Sequence, residues 1–216
     1  MLQYITNTSS TVPVVEQVKG VLDGGCRWIQ VRMKDASDEE ISKVVEEIKP
    51  LCLEKEAFLI LNDRVELAKK LDVGGVHLGK SDMLPSKARL ELGPAAVIGV
   101  TANTIDDIIA VRSLDIDYIG MGPYAFTETK KNLAPMLGLE GIRRLCIEMR
   151  EKQIDIAKVA VGGIRLEDVV PLMEAGVNGV AVSGAIAFAD DISKATHDFL
   201  EVLSNFEPTA SDSVKK

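Results

Sequence analysis

A closed (β/α)8 barrel, a TIM barrel formed as a single domain, is the fold the sequence predicts, and three observations predict it. Short apolar runs alternate with helical patterns along the whole 216-residue chain, as parallel strands covered by helices require. About eight βα units can be counted, the number that closes a barrel. No GxGxxG follows the first strand, which weakens the alternative of an open dinucleotide-binding sheet.

Leu2 to Thr6 reads as the first strand, and Val12 to Leu22 as a helix ended by Gly24-Gly25. Arg27 to Lys34 is a strand by its aromatic and branched residues. Ser37 with Glu40 forms a capping box, and Ile41, Val44, Val45 and Ile48 then recur on one helical face. Phe58 to Leu61 is an apolar strand ending at Asn62-Asp63, with a helix to Leu71, and Gly75 to Leu78 is another, ending at Gly79-Lys80-Ser81-Asp82. A short helix spans Ser86 to Leu92. Val97 to Val100 is the fifth strand, and Thr104 with Asp107 caps a helix running to Leu114.

Tyr118 to Gly122 is the sixth strand, stopped by Pro123, which has no N–H for the ladder. The loop after it carries Thr127, Thr129, Lys130 and Lys131, hydroxyl donors and fixed positive charge suited to a phosphate or pyrophosphate. A solvated surface loop is the plainer reading of that cluster taken alone. A helix follows from Leu139 to Lys152, then a strand from Lys158 to Val161 before Gly162-Gly163. The next helix ends at Gly176, with Pro171 near its start, where a missing N–H does no harm. Gly179 to Val182 is the last strand before Ser183-Gly184, and one final helix is expected to reach Leu203. The barrel thus occupies residues 1–204, and the Ser-, Pro- and Thr-rich tail 205–216 is expected to be disordered.

Composition narrows the function. The net charge of −8 and the pI near 4.9 give no electrostatic basis for nucleic acid or an anionic membrane, so any anion site must be local. Hydrophobic residues at 46% supply an ordinary core. Cys26, Cys52 and Cys146 show no metal-type or CxxC spacing, which argues for reduced thiols in a cytoplasmic protein. No signal-peptide pattern or membrane-span-length apolar run is present.

The strand ends carry the chemistry, because in a barrel they converge on the face where active sites lie. In the second strand Gln30, Arg32 and Lys34 alternate and point one way, while Ile29, Val31 and Met33 point towards the helices. Three such donors aimed at a barrel mouth call for an anionic partner, with ion pairing inside the barrel as the alternative. Asn62, Asp63 and Asp82 stand at the next two strand ends and suit Mg²⁺, which takes one or two carboxylates plus substrate oxygens. Pairing with Arg32, Lys34 or Arg64 is their other reading. Gly162-Gly163 and Ser183-Gly184 end strands seven and eight, where barrels commonly bind phosphate, although turn formation alone would explain the glycines. His77 and His197 are expected to be structural. Without a Cys–His or Ser–His–Asp pattern, the residues favour charge and metal over a covalent intermediate.

Taken in order, these motifs resemble the thiamine phosphate synthase family: Gln30-x-Arg32-x-Lys34-Asp35, Leu61-Asn62-Asp63-Arg64, Val76-His77-Leu78-Gly79-x-x-Asp82, Gly120-x-Gly122-Pro123, Thr127-x-Thr129-Lys130-Lys131, Leu137-Gly138-Leu139-Glu140-Gly141 and Val161-Gly162-Gly163-Ile164. The resemblance spans Leu2 to Phe188. It implies a transferase that joins 4-amino-5-hydroxymethyl-2-methylpyrimidine diphosphate to a thiazole phosphate, giving thiamine phosphate and pyrophosphate. By the same resemblance Gln30, Val31, Arg32, Met33, Lys34, Asn62, Thr101 and Lys130 hold the pyrimidine diphosphate. Asp63 and Asp82 bind Mg²⁺, and Thr127, Glu128, Thr129, Gly163, Ser183 and Gly184 hold the thiazole phosphate. The implied route is dissociative: pyrophosphate leaves, a pyrimidine-methyl cation forms, and the thiazole nitrogen captures it. Arg32, Lys34 and Lys130 are the expected catalytic residues, stabilising the departing charge.

The sequence departs from the family pattern at Thr101 and Asn103, where Ser and His are common, at Lys80, where Gln is common, and at Ser183-Gly184. Two other functions compete: a thiazole tautomerase of the same fold, which uses a histidine near the fifth strand where Asn103 stands, and a non-catalytic barrel holding a phosphorylated ligand. The paired carboxylates favour the synthase over the latter, since retention alone needs no metal. The expected partners are the two small molecules, with homo-oligomerisation left open.

Overall fold

The computed structural model describes residues 1–126 and 135–206, and within them eight parallel strands close into a barrel in sequence order. The strands are β1 Leu2–Ile5, β2 Trp28–Val31, β3 Phe58–Asn62, β4 Gly75–Leu78, β5 Val97–Ala102, β6 Tyr118–Met121, β7 Ala157–Val161 and β8 Gly179–Val182. β1 closes the ring on β8 through the register Leu2 to Val180 and Tyr4 to Val182. Period-two alternation divides each strand between two cores. One residue set, including Tyr4, Ile29, Leu61, Ile98, Ile119 and Val180, packs against the helices; the other, Ile60, Tyr118, Val159 and Ala181, fills the barrel below its mouth. In the interior, Trp28 meets the Tyr118 ring edge-on at 4.8 Å. Gly99 makes room for that tyrosine, since a Cβ there would collide with the ring.

The helices are α1 Val14–Asp23, α2 Asp38–Glu54, α3 Val65–Lys70, α4 Pro85–Leu92, α5 Ile105–Val111, α6 Gly138–Glu151, α7 Val169–Glu174, α8 Gly184–Ala187 and α9 Ile192–Ser204. Both expected caps form, Ser37 with Glu40 and Thr104 with Asp107, each as a capping box. An N-cap of this kind contributes about 1 kcal/mol. Ser37→Ala is therefore expected to lower the melting temperature by about 3 °C with turnover unchanged, which a melting curve beside an initial-rate assay would check.

Several boundaries differ from the sequence reading. The second strand stops at Val31 instead of Lys34, so Arg32 and Lys34 lie in the connection that leaves it. The fifth helix ends at Val111, short of Leu114. The single helix expected after Ser183 is two, because the Asp191 carboxylate accepts from Lys194 N at 2.8 Å and starts a new helix there. A 3-10 turn, Leu166–Asp168, leads into α7, whose third residue is Pro171. Asn205 and Phe206 form a turn after α9; residues 207–216, the rest of the expected tail, lie outside the described residues. All three cysteines are buried free thiols, and burial pushes Cys52 up to about 11. Among the described residues no helix is long and apolar enough to cross a membrane.

Candidate active site

Two adjoining cavities open at the C-terminal ends of the strands. The first, about 380 Å³, is lined by Gln30, Arg32, Lys34, Asn62, Asp63, Asp82 and Thr101, together with His77, Lys80 and Asn103. The second, about 410 Å³, is lined by Arg32 again, by Gly162 and Gly163 after β7, by Ser183 and Gly184 after β8, and by Arg165 and Phe126. Residues from distant parts of the sequence, expected to share one site, are thus brought together. Thr127, Glu128, Thr129 and Lys130 lie outside the described residues. Val31 and Met33 differ from the rest of their motif: their side chains pack with the core beneath the helices, leaving Gln30, Arg32 and Lys34 to face the cavity.

Arg32 is held from below. Its N–H donates to Thr6 Oγ1 at 2.8 Å, and the Thr6 hydroxyl lies 3.2 Å from its carbonyl oxygen. Thr6 is buried, so this clamp sets where the strand-exit backbone runs and where the guanidinium starts. Nearby, Asn7 donates to Ser183 Oγ at 3.2 Å, which ties the β1 exit to the β8 exit.

Asp63 and Asp82 face one another. Burial pushes the Asp63 carboxyl up to about 7, the neighbouring Asp82 adds to the rise, and Arg32 opposes it. Asp63 also has a φ of 66°, a left-handed conformation that aspartate tolerates and that commonly marks a functional constraint. Asp82 is set by its own turn, where Gly79 N–H donates to its Oδ2 at 2.6 Å. The alternative pairing with Arg64 is not formed, since Arg64 Nη1 lies 2.9 Å from Asp38 Oδ1. Two close carboxylates opposed by cations fit Mg²⁺ that completes its shell with water and substrate oxygens. No cluster of three acidic, cysteine or histidine groups, as an all-protein metal cage needs, exists among the described residues.

Lys80 Nζ pairs with Asp107 Oδ2 at 2.6 Å. The same carboxylate accepts from the backbone N–H groups of Asn103 and Thr104, so the α5 cap also holds the cavity wall. Asn103 donates its side-chain amide to the Gly122 carbonyl. An amide is neither acid nor base near neutral pH, so Asn103 cannot do the work of the histidine a tautomerase would use at that position. His77, expected to be structural, lines the first cavity beside Thr101; strand alternation, with Gly75 and His77 on one face of β4, was the available signal. His197 is exposed on α9, apart from both cavities.

Residues 2–186 match the TMP-TENI family model, described as thiamine monophosphate synthase. The chain belongs to this family. A relative from Bacteroides fragilis named thiamine-phosphate synthase is 51% identical over 201 residues, covering 93% of this chain and 98% of that one. One of the same name from Pyrococcus abyssi is 32% identical, covering 93% of both chains. The solved structure of a thiamine phosphate pyrophosphorylase from Pyrococcus furiosus superposes with a TM-score of 0.84 at 30% identity, covering 96% of each chain. The family's barrel is therefore the frame on which Arg32, the Asp63–Asp82 pair and the Gly162-Gly163 turn are mounted.

Proposed function

We propose that this chain is a transferase that makes thiamine phosphate, joining 4-amino-5-hydroxymethyl-2-methylpyrimidine diphosphate to a thiazole phosphate with release of pyrophosphate. The observation that carries this reading is the pair of adjoining cavities sharing one guanidinium, that of Arg32. The first has the acidic pair and Lys34, as a magnesium diphosphate requires; the second has the glycine turn after β7 and the start of α8, where backbone N–H groups meet a monophosphate.

In this reading Asp63 and Asp82 would hold Mg²⁺. When bound, the ion would neutralise charge on the diphosphate and so aid its departure. Lys34 and Arg32 bind the same group and stabilise the charge that grows as the C–O bond breaks. No side chain need act as a nucleophile, because the thiazole nitrogen in the adjoining cavity captures the pyrimidine-methyl cation. Pyrophosphate release assayed with both substrates, each alone, and in excess chelator tests the reading. Release only with both substrates and Mg²⁺ is expected; release from the diphosphate alone at the same rate would contradict it.

Gly163 gives a second test. Its φ is 68°, and a Cβ would sit 2.6 Å from the Phe126 carbonyl oxygen, so a side chain must displace this turn. Gly163→Ala is expected to raise KM for the thiazole phosphate about tenfold, since strain of this kind costs about 1–3 kcal/mol. KM for the pyrimidine diphosphate should hardly change. Steady-state kinetics with each substrate varied in turn would check this.

A further inference from the structure

A buried chain of hydrogen bonds runs beneath the first cavity and starts and ends at its wall. Gln30 Nε2 donates to Gln3 Oε1 at 3.3 Å, and Gln3 Nε2 donates to Tyr118 Oη at 3.0 Å. Tyr118 Oη lies 2.9 Å from His77 Nδ1, and His77 Nε2 lies 3.0 Å from Thr101 Oγ1. Gln3 and Gln30 are 1% exposed and Tyr118 3%, so water cannot easily repair a mismatched link. Nothing in the family motifs pointed to Gln3 or Tyr118.

Giving every donor a partner runs the chain in one direction. Gln3 spends its oxygen on Gln30 and its N–H on Tyr118. The phenol oxygen, having accepted, has a single proton, and an unprotonated His77 Nδ1 at 2.9 Å would take it. Burial holds that phenol well above its ordinary range, so it stays a donor at any pH at which the enzyme works. A neutral imidazole that accepts at Nδ1 carries its proton on Nε2 and donates it to Thr101 Oγ1. The threonine oxygen is then supplied, and its own O–H can aim into the cavity.

We infer that Gln3, Tyr118 and His77 are positioning residues that set the Thr101 hydroxyl as a hydrogen-bond donor towards the substrate, and so select a ligand presenting an acceptor there. An aromatic ring nitrogen, such as a pyrimidine offers, is such an acceptor, whereas a ring N–H at that place would meet the hydroxyl proton head-on. The inference takes its substrate from the proposed function, but its direct test does not depend on that function.

The test uses the uniformly ¹⁵N-labelled full chain without ligand, whose only two histidines are His77 and His197. Long-range ¹H–¹⁵N correlation at mildly alkaline pH reads each ring's tautomer, and His197→Gln assigns the remaining signals to His77. His77 is expected to be protonated at Nε2 and unprotonated at Nδ1. A ring protonated at Nδ1, or at both nitrogens, would overturn the proposal. In Tyr118→Phe the Nε2 preference should weaken, and KM for the pyrimidine diphosphate should rise about tenfold with KM for the thiazole phosphate unchanged. An unaltered tautomer in a folded Tyr118→Phe protein would also overturn it; if that variant fails to fold, the wild-type spectrum decides. Absence of synthase activity in the wild type would count against the proposed function while leaving the spectrum to decide the relay.

Discussion

Replacing Asp63 or Asp82 with alanine is expected to lower turnover by on the order of 100-fold or more, with the barrel still folded. Each carboxylate is half of a pair whose close approach the free protein does not favour. The Asp63 carboxyl is pushed up to about 7 by its own burial and by Asp82, and its φ of 66° is an uncommon backbone state. A divalent cation held by Asp63 and Asp82 would offset that repulsion and help hold a diphosphate beside Lys34. Full turnover of the wild type in excess chelator would sink this account, and so would an Asp82→Ala variant with wild-type rates.

The same pair makes a prediction about stability whose sign is opposite. An acid whose folded-state value lies above its unfolded one loses stability on ionising. For Asp63 that cost is absent below 3.8, grows as pH rises, and is complete above about 7. Asp63→Asn removes the charge and keeps a residue type that tolerates a positive φ. In metal-free protein above neutral pH, this substitution is expected to raise the melting temperature by about 3 °C, corresponding to roughly 1 kcal/mol once screening in the open cavity is allowed for. The gain should vanish in acid, and Mg²⁺ should stabilise the wild type but not the variant. Scanning calorimetry at two pH values, with and without Mg²⁺, measures all of this.

Much of the barrel and of the mouth was legible because both rest on local rules. Alternation alone placed Gln30, Arg32 and Lys34 on one side and Ile29 on the other, and the ends of short apolar runs located Asn62, Asp63, Asp82 and Gly163. What escaped depends on closure. Gln3 and Tyr118 lie 115 residues apart and meet only because closure of the ring turns β1 and β6 towards each other across the interior. His77 alone reads as an ordinary core histidine; its role emerges when Tyr118 lies on one ring nitrogen and Thr101 on the other. The Arg64–Asp38 pair illustrates the same limit, since an arginine beside Asp63 in sequence turns to another carboxylate in space. The break between α8 and α9 is hidden for a different reason. Asp191 reads as one more polar helix position, although aspartate before a helical run is also a cap signal.

Arg32→Ala is expected to lower turnover by about 1,000-fold, and Arg32→Lys by about 100-fold, with KM raised for both substrates. Arg32 supplies the charged group common to both cavities, whereas Lys34 lines only the first and Ser183 only the second. In the proposed function it would stand where the diphosphate and the thiazole phosphate come nearest, and a guanidinium can meet each with a separate edge of its planar fork. Lysine keeps the charge but lacks the planar fork, so it meets two phosphate groups with poorer geometry than the guanidinium does. The Thr6 clamp also matters: with the Arg32 backbone tied at both N–H and carbonyl, little backbone freedom is lost when the side chain engages its ligands. Stability should change little, since the guanidinium is half-buried and its loss leaves no packed core void. Initial rates with each substrate varied in turn separate the outcomes. A KM increase confined to one substrate would mean that Arg32 belongs to one cavity, and the reading of two sites joined by a shared cation would fail.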